Sequence, residues 1–197
     1  MSTTSARPRV DINERLYTEA DLAAMPSDLP SGPVWYELDD GRLITMTPAG
    51  VEHGSYEMRI GAAFYEQGEK KGLGRACTGE VGIVLRRKPP RIVGADVAFI
   101  AKRSLPIKKS RSGYLETMPE VVVEVLSPND TKAYVKRKIS DYLDAGVAQV
   151  WIVDPARREI VIHRRDAQPQ IFTENDVLKS NDPIPGFKLS LAEVFAD

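Results

Sequence analysis

Cysteine, an excess of either charge and long apolar runs are what this chain lacks. A single cysteine, Cys77, in 197 residues excludes an intramolecular disulfide framework and a thiolate zinc cluster, and fits a reducing compartment. Lys and Arg number 27 against 28 Asp and Glu, for a formal net charge of -1. The bulk basicity through which many nucleic-acid binders hold a polyanion is therefore missing. No apolar stretch approaches the ~18 residues of a membrane span, and the N-terminus has no signal-peptide pattern. A cytoplasmic protein without membrane association is expected. Nothing repeats at a fixed period, and neither a Gly-Lys-Ser/Thr phosphate loop nor a Gly-x-Ser-x-Gly elbow is present. Common nucleotide-binding and serine-hydrolase classes are thereby disfavoured, and no zinc finger or similar DNA-reading module is recognisable.

What is there is ordinary globular composition, 42% hydrophobic and 28% charged, enough for one core and one domain. Residues 1–16 are polar and aperiodic and read as a flexible arm, leaving 17–197 as the domain. Thr18-Glu19-Ala20-Asp21 has the pattern of a capping box opening a short helix. Asp39-Asp40-Gly41 between two short apolar segments signals a hairpin, with Glu37 just before its turn. Residues 50–71 read as a helix, with His53 about two turns before Ile60 and so on the inward face. Such a histidine is most often a core or capping residue. Two strands over 75–87 and 92–102 are expected, then an exposed connection over 102–118. After a strand at 121–125, residues 131–145 form a helix closed by Gly146. Further strands and a second capping box at Ser190-Leu191-Ala192-Glu193 complete an α/β (α+β) pattern, a mixed central sheet flanked by helices.

Two acids stand out from this pattern. In Glu120-Val121-Val122-Val123-Glu124-Val125-Leu126, both faces of the strand are apolar, so Glu124 has no solvent to point into. An unpaired carboxylate there costs several kcal/mol or takes up a proton. Asp96, between Val93, Val97, Phe99 and Ile100, is in the same position. Two such acids on neighbouring strands point to a divalent cation or a buried lysine. On the helix that follows, Lys138 lies about 60° from the apolar stripe of Val135, Ile139 and Tyr142. Lys132 in the first turn is a rival, and an edge lysine commonly snorkels to solvent.

The ordered set YELDDGRLITMTPAGVEHG, GADVAFI, VVVEVLSPND, KISDYLDAGVAQVWIVDP and PGFKLSLAEVF resembles the Uma family of restriction endonucleases, in the PD-(D/E)xK nuclease superfamily. The resemblance covers nearly the whole chain from about Tyr17. It implies a restriction-endonuclease-like core that hydrolyses phosphodiester bonds, in DNA, with Mg²⁺ or Mn²⁺. Asp96 and Glu124 match the motif acids. Ala95 replaces the motif proline and Leu126 the motif lysine; Lys138 matches the lysine that similar families supply from the next helix. Glu37 matches an acid joining Asp96 and Glu124 at the metal directly or through water, and His53 the histidine opening the long helix. A homodimer is compatible with the resemblance, since many superfamily members cut duplexes in pairs. Two other readings stay open: a catalytically silent nucleic-acid-binding protein on a nuclease scaffold, and an ion-pair core in which Lys138 bridges Asp96 and Glu124 without chemistry.

Overall fold

The computed structural model describes residues 9–10, 15–30, 32–46, 48–128 and 130–196. Strand β1 (Arg9–Val10) and helix α1 (Glu19–Ala23) come first, then the short strands β2 (Asp28–Leu29) and β3 (Gly32–Pro33). A hairpin of β4 (Trp35–Asp39) and β5 (Arg42–Met46) leads to helix α2 (Val51–Phe64), which continues as a π-helical turn over Tyr65–Glu69. The central elements are β6 (Gly74–Arg87), β7 (Pro90–Ala101), β8 (Val121–Val125), α3 (Lys132–Ala145), β9 (Gln149–Asp154) and β10 (Glu159–His163). The chain closes with β11 (Gln170–Thr173), β12 (Val177–Ser180), β13 (Phe187–Ser190) and α4 (Leu191–Val194).

Local chemistry explains most of these boundaries. Thr18 and Asp21 form the expected reciprocal capping box on α1. Asp40 and Gly41 take φ of 52° and 79°, the pair of positive values that a two-residue hairpin turn with right-handed strand twist demands. Helix α3 is capped by the Thr131 side chain, and its C-terminal Gly146 adopts φ 107°, as a glycine C-cap does.

The large sheet has the order β1-β5-β4-β7-β8-β9-β10-β11, with β6 also paired to β7. It is mixed, because β8 and β9 run parallel and the other pairs antiparallel. Alternation along β8 feeds two cores. Val121, Val123 and Val125 join Phe64, Phe99 and Trp151 beneath α2, whereas Val122 packs with Tyr142, Val150 and Ile152 beneath α3. Leu38, Ile92 and Leu22 seal a third cluster between hairpin and α1.

Several local expectations are corrected. Inside the supposed arm, Arg9 and Val10 pair with Thr45 and Ile44; residues 1–8 and 11–14 of that arm lie outside the described residues. Pro90 and Arg91 belong to β7 rather than to the turn before it. The 102–118 connection is not wholly exposed, since Leu115 is buried and bridges to Ile83. Residues 170–180, which read in sequence as one strand and a loop, form two strands in different sheets. Ser190 precedes α4 without a side-chain cap bond, because the helix is held by burial of Leu191, Val194 and Phe195.

Candidate active site

The site exists because β7 is longer than its neighbours on one edge. Strand β6 pairs along nearly all of β7. On the opposite edge β4 meets it at Leu38↔Ile92 and β8 only at residues 97–99. Between those contacts the backbone has no strand partner, and buried peptide groups must find one elsewhere. They find side chains. The Gly94 N–H donates to Glu37 Oε1 at 3.0 Å, and the Gly94 carbonyl accepts from Lys138 Nζ at 3.1 Å. Across the gap, where β8 has left β7, the Val125 N–H donates to Asp96 Oδ2 at 2.6 Å and the Val125 carbonyl accepts from His53 Nε2 at 3.0 Å. Asp96, Glu37, Lys138 and His53 thus complete an interrupted ladder, and that fixes where they point.

Lys138 is the buried cation of the site. Its Nζ lies 2.8 Å from Glu124 Oε2 and 3.1 Å from Glu37 Oε1, while the Tyr142 hydroxyl donates to the other Glu124 oxygen. Burial alone would lower the Lys138 pKa, but the charges of Glu124 and Glu37 outweigh it and raise it. Lys138 therefore bridges Glu37 and Glu124, not Asp96 and Glu124. Burial also works against the ionised Glu37, yet Lys138, Arg91 and the Gly94 N–H hold its carboxyl below the usual range. Its other oxygen accepts from the Tyr134 hydroxyl at 3.1 Å. Both Glu37 oxygens are hydrogen-bonded, as are both oxygens of Glu124. Arg91, buried beside it, spans Glu37 at 3.6 Å, the Leu38 carbonyl at 3.2 Å and Asp141 at 2.8 Å.

The remaining pair of acids is poised differently. Burial and the neighbouring negative charge of Glu124 push Asp96 well above the ordinary aspartate value. Burial lifts Glu124 to about 7 against the pull of Lys138. His53 faces acceptors at both nitrogens, the Glu57 carboxylate at 2.7 Å and the Val125 carbonyl, so both nitrogens carry protons. Burial opposes that charge, but the Glu57 bond and the charges of Asp96 and Glu57 raise its pKa to about 9. Its Nε2 stands 3.5 Å from Asp96 Oδ2.

A cation would relieve the carboxyls that burial and neighbouring negative charge have raised, so Asp96 and Glu124 fit a divalent metal on chemical grounds. Among the described residues, the three whose ligand atoms lie within 4.8 Å of one another are nevertheless His53, Glu57 and Asp96. Asp96 is common to that group and to the expected one. Sequence reasoning missed Glu57, Arg91 and the two tyrosines. The spacing i, i+4 from His53 marks Glu57 as a same-face neighbour, and Tyr134, Lys138 and Tyr142 repeat that interval on α3. Arg91 left no signal, because its burial depends on the pairing of β4 with β7.

A mixed sheet flanked by helices, with a buried carboxylate–lysine centre where its strands part, is the frame of a nuclease-like α+β protein. The chain belongs to the Uma2 family, described as "Putative restriction endonuclease", which matches residues 20–192. The crystal structure of a "putative nuclease" belonging to DUF820 from Anabaena variabilis has the same fold. It aligns with a TM-score of 0.72 over 91% of this chain and 97% of that one, at 16% identity. No protein of curated function matches significantly.

Proposed function

We propose that this protein is a metal-dependent endonuclease that hydrolyses phosphodiester bonds in DNA, with Mg²⁺ as its cation and Mn²⁺ as a substitute. The observation that carries the reading is the pair of buried acids, Asp96 and Glu124, with raised pKa values beside a charged Lys138. Asp96 and Glu124 would hold the metal. When bound, the cation polarises a phosphoryl oxygen and makes water more acidic. Glu37, Glu124 and the Gly94 carbonyl hold the Lys138 ammonium in one orientation, ready to offset the charge that grows on the phosphate in the transition state. His53, doubly protonated and fixed by Glu57, offers a second positive group for a phosphate oxygen. Glu37 orients Lys138 and would join Asp96 and Glu124 at the metal directly or through water.

One observation favours a second reading, an ion-pair core without chemistry. Each acid already has a cation, Lys138 for Glu124 and Glu37, His53 for Asp96. Calorimetric titration of Mg²⁺ and Mn²⁺ into the wild type and Asp96→Ala/Glu124→Ala separates the two. Binding by the first and not the second, with metal-dependent cleavage of single- or double-stranded DNA, is the expected result. Absence of binding by the wild type, even with a non-cleavable oligonucleotide present, leaves the ion-pair core. Binding to DNA without cleavage would instead favour a silent scaffold. A pair of copies on a duplex is the arrangement proposed for cutting both strands, and light scattering with and without duplex DNA would count them. The cytoplasm is the compartment proposed, on the strength of the free Cys77.

A further inference from the structure

Along the β6–β7 pairing, Thr78 stands opposite Val97 and Val81 opposite Ala95. Gly79 and Glu80 together therefore face Asp96 alone. An extra residue of this kind bends its strand and re-aims a side chain, and such bulges concentrate beside functional sites. Both residues are left-handed, Gly79 at φ 84° and Glu80 at φ 57°. Glycine takes that conformation freely, whereas an L side chain takes it under strain.

The bulge sets the Glu80 carboxylate over Gly94, with Oε2 only 2.5 Å from where a Cβ on residue 94 would be. Gly94 is the residue whose two backbone groups hold Glu37 and Lys138, so Glu80 overhangs the floor of the site. Its carboxylate interacts with Lys138, Glu37, Glu57 and His53, and its charge reaches Asp96. Among the described residues no hydrogen bond or ion pair reaches its oxygens, and burial pushes its carboxyl up. Folding has drawn this acid partly out of water, on a strained backbone and toward other acids, without giving it a donor. A cation arriving from outside would offset that cost.

We infer that Glu80 is a ligand, beside Asp96, for the divalent cation of the proposed site, delivered by the β6 bulge rather than by the acids of the superfamily motif. The inference rests on the metal-dependent reading above.

The test is calorimetric titration of Mn²⁺ into the full chain at pH 8, comparing the wild type with Asp96→Asn, Glu80→Gln, Gly94→Ala and the Glu80→Gln/Gly94→Ala double variant. Glu80→Gln is expected to weaken Mn²⁺ binding by about tenfold or more, with a metal-free urea midpoint equal to or above that of the wild type. Gly94→Ala places a methyl group against the movable end of the Glu80 side chain, so the fold stands and the carboxylate is displaced. Its binding should weaken likewise, with no further loss when it is added to Glu80→Gln. Wild-type affinity in Glu80→Gln, or a Gly94→Ala loss undiminished in the double variant, overturns the inference. A wild type that binds no Mn²⁺ overturns the metal-dependent reading and this inference together. Binding abolished by Asp96→Asn but untouched by Glu80→Gln overturns the inference alone.

Discussion

Glu124 shows how one side chain ties stability to pH. Its carboxyl ordinarily titrates at 4.5 and is lifted by burial to about 7 in the fold, so the folded state holds this proton more tightly than the unfolded chain does. The stabilisation it contributes is complete below pH 4.5 and disappears as pH rises through 7, on the order of 3 kcal/mol in all. Asp96 and Glu80, whose carboxyls are raised as well, add to the decline in an overlapping window, whereas Glu37 and His53 act elsewhere. Glu37, whose carboxyl is lowered, loses its contribution only as pH falls below the ordinary glutamate range. His53, raised from 6.5 to about 9, loses its own as pH climbs through that upper range. In buffer containing a chelator, urea denaturation should therefore show stability declining between pH 4.5 and 7, and Glu124→Gln should make that decline shallower. An unchanged slope in the variant would mean that Glu124 ionises normally in the fold.

At the level of elements, α3 and β7 do most to assemble the site. Helix α3 brings Tyr134, Lys138 and Tyr142 to the gap on successive turns, and its ends are set by residues adjacent in sequence. The Thr131 hydroxyl accepts the Tyr134 N–H at 3.2 Å, so Thr131→Ala should cost about 1 kcal/mol in chemical denaturation. Ser190 occupies the same position before α4 but makes no such bond, and Ser190→Ala should fall within about 0.5 kcal/mol of the wild type. Equal losses in the two variants would refute the distinction between a helix held by its cap and one held by its buried face. Strand β7 contributes in the opposite way, through what its edge leaves unpaired. Because β4 and β8 both stop short along it, the site is formed by termination of hydrogen bonding rather than by any one motif.

For the whole molecule, the three apolar clusters share β7, which contributes Val97 and Phe99 to one, Val93 and Ile100 to the second and Ile92 to the third. A strand common to every core should make residues 17–197 unfold as one unit. Thermal transitions followed by far-ultraviolet circular dichroism and by fluorescence of the buried Trp151 should then coincide, whereas separated midpoints would indicate more than one domain. The sequence by itself determined the parts that depend on neighbours in the chain: the Asp40-Gly41 turn, the Thr18 cap, the Gly146 stop and the two-sided burial of β8. It also marked Asp96, Glu124 and Lys138, because an acid inside an apolar strand or a lysine beside an apolar stripe conflicts with its surroundings and shows in a short window. Only the tertiary structure decided that Glu37 pairs with Lys138, that Arg91 is buried behind it and that Glu57 holds His53. The register between β6 and β7 placed the bulge opposite Asp96 and carried Glu80 over Gly94. Strand ends, registers and bulges are set by packing between distant segments, and no local pattern of residues encodes them.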